Sequence, residues 1–156
     1  MIITVLSVVL ALNHNAAPTD TLQCAAAAAF LRHDRHMIAA VQVDTINDWR
    51  TGMRVSGCRI TAAGATDVTV QSEALRFYES LRAAKWTRTP DPRDAPNEAS
   101  LRFRWEATDC LYNVNAQALL NTDAEMRVND ELRLAPNQIR YQVFVMCMPA
   151  LKAAPR

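Results

Sequence analysis

Four cysteines, Cys24, Cys58, Cys110 and Cys147, are spread along the chain with gaps far wider than the two to four residues of a zinc knuckle. Three of them, Cys58, Cys110 and Cys147, fall in the inward phase of segments in which apolar and polar residues alternate. That placement points to structural disulfides, and four cysteines allow three complete pairings. If the last three strands form a meander, Cys110 faces Cys147, and Cys24 is left to tie a leading helix to Cys58. If the final strand instead runs beside the first, Cys58 meets Cys147. Two bridges, at about 2 to 4 kcal/mol each, form a large share of a small domain's stability.

Cysteine pairing goes with export, and the chain opens on an eleven-residue apolar stretch, Ile2 to Leu12. It is about half the length of a membrane-spanning helix and suits the apolar part of a signal peptide, with Ala16 and Ala17 before Pro18 as a cleavage region. No Lys or Arg precedes the stretch, so a buried first element is the alternative, and lipid attachment at Cys24 is disfavoured by the bulky Gln23 before it. The expected organisation is a signal peptide over 1–17, one domain over 18–150 and a frayed tail over 151–156, in a periplasmic or secreted bacterial protein with no stable membrane span. A formal charge of +1 supplies no field that would draw nucleic acid. Lys85 and Lys152 are the only lysines, an arginine bias that a GC-rich genome accounts for together with the many alanines.

Asp20 to Ala40 has helical composition, with the alanine run Ala25 to Ala29 leading into Phe30 and Leu31. A polar connection over Asp44 to Gly52 leads to a strand over Arg54 to Ala63, ended by Gly64, with Cys58, Ile60 and Ala62 on one face. Val70 to Lys85 is the clearest helix: Ala74, Phe77, Tyr78, Leu81 and Ala84 form an apolar stripe, and Glu73, Arg76, Glu79 and Arg82 face water. Pro90, Pro92 and Pro96 then make Thr87 to Ala99 a loop. Leu101, Phe103 and Trp105 alternate with Arg102, Arg104 and Glu106, and a turn leads to Cys110, Tyr112 and Val114, predicting a hairpin. After a polar connection over Asn121 to Gln138 comes a last strand, Tyr141 to Cys147, apolar on both faces and therefore central or covered. The expected fold is α+β: a leading helix, then β-α-β-β-β, with a four-stranded, mostly antiparallel sheet covered by helix on one face.

No arrangement specifies a reaction, and no cofactor is implied. Gly52, Gly57 and Gly64 are the only glycines, which excludes a glycine-rich phosphate loop. His33, Asp34, Arg35 and His36 form the one dense ionisable cluster; its plainer reading is a solvated helix end, where histidine suits the backbone dipole. Asp91, Asp94 and Glu98 put three carboxylates on the proline-rich loop, without the central glycine of a calcium loop. Arg102 and Arg104 are expected on the wet face of their strand, with Asn113 and Asn115 beside them on its partner. The leading expectation is a binding module without catalytic function whose contacts are Arg102, Arg104, Asn113, Asn115, Asp91, Asp94 and Glu98. Its partner would be a protein, an envelope glycan or a small ligand. The competing classes are a small hydrolase using His33, Asp34 and His36 or the loop carboxylates, and an inhibitor that inserts Thr87 to Ala99 into an extracellular enzyme.

Overall fold

A computed structural model describes residues 19–89 and 100–151 of the chain. The expected leader, the loop carboxylates Asp91, Asp94 and Glu98, and the tail from 152 lie outside these residues. Six strands, β1 (Ile38–Asp48), β2 (Met53–Thr66), β3 (Thr87–Arg88), β4 (Ser100–Trp105), β5 (Thr108–Asn115) and β6 (Ile139–Pro149), form one antiparallel sheet in the order β1-β2-β6-β5-β4-β3. Helices α1 (Thr19–Ala29), α2 (Val70–Ala83) and α3 (Asp123–Glu131) complete an α-β-β-α-β-β-β-α-β order. The expected four-stranded β-α-β-β-β fold is therefore wrong in strand number and in helix placement.

Two strands were not expected: β3, where Thr87 and Arg88 at the start of the expected loop pair with Arg104 and Phe103, and β1, whose first residues, Ile38 to Ala40, fell in the expected helix. After α1 the chain makes one π-helical turn, Phe30–Asp34, closed by a bond from the Arg35 amide to the Phe30 carbonyl. His36 then takes a positive φ of 51°, which ends the helix before Ile38. Ala39 and Ala40, read as helix formers, stand instead in a half-buried strand registered against β2 from Ile38↔Ala63 to Asp48↔Met53. Helix propensity differs by only a few tenths of a kcal/mol among ordinary residues, and tertiary pairing overrides it. β2 also runs past Gly64 to Thr66, because the ring of Tyr141 on β6 covers that glycine: a Cβ there would sit 2.7 Å from the ring.

The omitted helix is α3, inside the stretch expected to be a polar connection. Thr122 caps it, and Glu125 reaches back to the Thr122 amide in a capping box. Its buried apolar residues are only Ala124 and Val128, which with Leu132 at the C-cap pack on Ala40 and Ala63. Ala63 points away from the α1 and α2 face that Ala62 occupies, so helices cover both faces of the sheet at its β1–β2 end.

On the α1 and α2 face the core is aromatic. Phe77 stands edge-on to Phe30 with centroids 5.6 Å apart, Tyr78 stacks on Phe103 at 5.9 Å, and Trp86 meets Tyr112 edge-on at 5.7 Å. The stripe of α2 buries Phe77, Tyr78 and Leu81 as its spacing predicts. Glu73, expected in water, is only 4% exposed, because Arg35 and the Thr66 hydroxyl hold its carboxylate. Two buried disulfides cross this core: Cys24–Cys58 ties α1 to β2, and Cys110–Cys147 ties β5 to β6. Among the described residues no helix is long and apolar enough to cross a membrane.

Candidate functional site

Beyond the reach of α3, the opposite face of the sheet sets buried charged groups beside the buried apolar side chains of Ile46, Leu111 and Met148. The hairpin joining β1 to β2 starts the construction. Asp48 accepts at its carbonyl from the amides of Thr51 and Gly52, and Gly52, at φ 71°, closes the turn. The Asp48 carboxylate accepts from the Arg50 amide at 3.1 Å and from Arg50 Nε and Nη2 at 2.8 and 2.9 Å. Gly57 leaves bare backbone where a Cβ would meet the Cys147 carbonyl at 2.4 Å and the Ile46 side chain at 2.8 Å. The outer half of the hairpin thus lies close against β6 and carries Trp49 and Arg50 onto β4 and β5.

Asp109 on β5 receives them. Its carboxylate is fully buried and accepts from Arg50 Nη1 at 2.6 Å, from Arg104 Nε at 2.6 Å and from Arg104 Nη2 at 2.9 Å. Arg102, 2% exposed, lies with its guanidinium carbon 5.1 Å from the Trp49 ring centre and Nη1 3.8 Å from the Met148 sulfur. Three guanidinium groups (Arg50, Arg102, Arg104) and two carboxylates (Asp48, Asp109) thus share one layer among the described residues.

Burial disfavours charge on Asp109, yet hydrogen bonds from Arg104 and Arg50 and their positive charges hold its carboxyl below the ordinary value. At Asp48, too, burial opposes charge, and the bonds from Arg50 with the Arg50 and Arg102 charges outweigh it. Both carboxylates are therefore charged near neutral pH, as counter-ions to the guanidinium groups around them. The layer is a structural brace, and its one accessible arm is Arg104, whose side chain is 33% exposed.

Arg104 borders a groove of about 410 Å³ at the β4–β5 turn, lined also by Lys85, Thr87, Trp105 and Glu106. Trp105 leans on Trp86 with ring centres 5.6 Å apart, which fixes the indole. A second groove, about 390 Å³, runs between α1 and β1 past Cys24, Ala25, Ala28, Arg32, His33 and Val41.

The register confirms that Arg102, Arg104, Asn113 and Asn115 share one face. That face is not uniformly wet: Arg102 is sealed under the hairpin, and Asn113 and Asn115 are half-buried, the Ser100 hydroxyl donating to Asn113. His33, Asp34 and His36 are exposed, and the positive φ of His36 takes it off the helical face it was expected to share with His33. Sequence reading missed Asp48, Trp49, Arg50 and Asp109, which fell in stretches read as a connection and a turn. The available signal was Asp109 itself, an acid in the same alternating phase as Leu111. No family model, curated protein or solved structure matches this chain.

Proposed function

We propose that this chain is a binding module without catalytic function, held rigid by disulfides in an oxidising extracytoplasmic compartment, and that it takes an acidic glycan in the groove at the β4–β5 turn. The observation that carries this reading is the state of Arg104. Asp109 holds its guanidinium by two hydrogen bonds, while a third of the side chain stays exposed beside Lys85 and the fixed Trp105 indole. A cation held in place loses little freedom on binding, Arg104 Nη1, which Asp109 does not engage, suits a carboxylate oxygen, and an indole face suits the apolar face of a sugar ring. The compartment is supported by four cysteines paired in the core, since reducing cytosol disfavours such bridges.

Calorimetric titration of the full chain with oligogalacturonate and with its neutral methyl ester tests the reading. The acid form is expected to bind, more weakly as salt rises, and Lys85→Glu is expected to weaken it by about tenfold through like-charge repulsion. Equal heats from the acid and the ester, or none from either, would overturn the ligand assignment. Four alkylatable thiols in the native exported protein before reduction would overturn the compartment.

A further inference from the structure

The two disulfides are neighbours. Cys147 on β6 is the register partner of Cys110 on β5, to which it is bonded, and also of Cys58 on β2, to which it is not. The sulfurs of Cys24, Cys58 and Cys147 lie within 4.8 Å of one another, all fully buried. Directly opposed residues of antiparallel strands have Cα atoms about 4.5 to 5.5 Å apart, inside the range that a disulfide spans. A Cys58–Cys147 bond therefore needs side-chain rotation and no shift of strands.

We propose that the four cysteines form a thiol relay running Cys24, Cys58, Cys147, Cys110, with Cys24 as a site of mixed-disulfide modification. Cys24 is 0% exposed and lies beneath the groove between α1 and β1, so α1 must lift from the sheet before a small anionic thiol of the glutathione class, suited to the small alanines and flanking Arg32, reaches its sulfur. The incoming thiolate attacks Cys24 Sγ, forming the mixed disulfide and expelling the Cys58 thiolate. That thiolate attacks Cys147 Sγ, forming Cys58–Cys147 and expelling Cys110, which takes up a proton. Two disulfides and one thiol stand on each side, so no oxidant or reductant beyond the incoming thiol is required. The exchange unlatches α1 from β2 while a bridge from β2 to β6 replaces the one from β5 to β6. This relay is independent of the glycan groove, and its test has a separate readout.

Each cysteine falls on a different tryptic peptide, so the positions can be mapped directly. The native full chain is incubated with glutathione without denaturant, quenched with acid, alkylated and digested unreduced for mass spectrometry. The expected products are glutathione on Cys24, a peptide pair joined through Cys58 and Cys147, and an alkyl group on Cys110. Alkylated Cys58 with the Cys110–Cys147 pair intact overturns the relay, as does a chain that takes up glutathione only in denaturant. In the Cys24→Ala variant Cys58 is free from the outset, and alkylation divided between Cys58 and Cys110 is expected. Alkylation confined to Cys58 overturns the transfer step, and if this variant fails to fold, the native chain alone decides.

Discussion

Arg50, in the turn between β1 and β2, donates from Nη1 to the carboxylate of Asp109 on β5 at 2.6 Å, although β6 lies between their strands. The pair is 59 positions apart in sequence and buried at both ends. It closes the hairpin over the sheet, and Arg104 bonded to the same carboxylate belongs to the same unit.

Replacing Asp109 by Asn leaves Arg50 and Arg104 without the counter-charge they share. Removing one partner of a buried pair costs about 3 to 5 kcal/mol, because the remaining charge stays buried. Asp44→Asn, which breaks the part-exposed Arg59–Asp44 pair, is expected to cost less than about 1 kcal/mol. Urea unfolding of the two variants beside the parent chain measures the contrast.

Asp48, Asp109 and Glu125 all carry lowered folded-state values, the last because, against the cost of burial, its carboxylate accepts from the Thr122, Leu120 and Leu119 amides. Each unfolded carboxyl titrates near its ordinary value, roughly 4, and each folded one lower. The unfolded chain therefore takes up protons first. The stability these groups contribute is complete above about pH 4 and is lost as pH falls through the folded values. Melting temperature followed from pH 7 to pH 2 should decline in that acid window, and Asp109→Asn should flatten the decline.

Glu125 serves three amides at once: Leu119 at 2.7 Å, Leu120 at 3.0 Å and Thr122 at 2.9 Å. Glu125→Ala removes the shared acceptor of three part-buried amide bonds at a cost of about 1 to 3 kcal/mol, while Thr122→Ala, which removes only the cap, costs about 1 kcal/mol. Hydrogen exchange should quicken at Leu119 and Leu120 in the Glu125 variant.

Gly57→Ala sets a Cβ against the Cys147 carbonyl, so backbone must move, at a cost of about 1 to 3 kcal/mol. Gly52→Ala meets no atom within 4 Å but must hold a φ of 71°, at a cost of about 1 to 2 kcal/mol. If the close approach at Gly57 seats the hairpin, its variant should also change the fluorescence of Trp49, which the Gly52 variant leaves largely as it is.

Where a segment buries one face continuously, the residues announce it. Phe77, Tyr78 and Leu81 marked the inner side of α2, and Phe103, Tyr112, Val143 and Val145 marked the inner side of their strands. The inward phase of the strand cysteines could be read in the same way. β1 and α3 left weaker traces: β1 buries Ala40 and half-buries Ala39, a residue type that also favours helix, and α3 buries two apolar residues, Ala124 and Val128, in a mostly polar stretch. For the site, alternation gave the shared face of Arg102, Arg104, Asn113 and Asn115, but it carries no information on what covers a face.

By itself the sequence determined the periodicities, and with them which side of α2, β4, β5 and β6 turns inward, since the free energy of burying an apolar stripe depends on residues a few positions apart. Tertiary structure alone decided that β6 enters between β2 and β5, that Glu73 and Arg102 are buried, and that Asp109 receives Arg50. Those outcomes rest on charges and backbone edges that meet only after the chain has closed. A lone arginine or aspartate favours water until a distant partner removes the cost of leaving it.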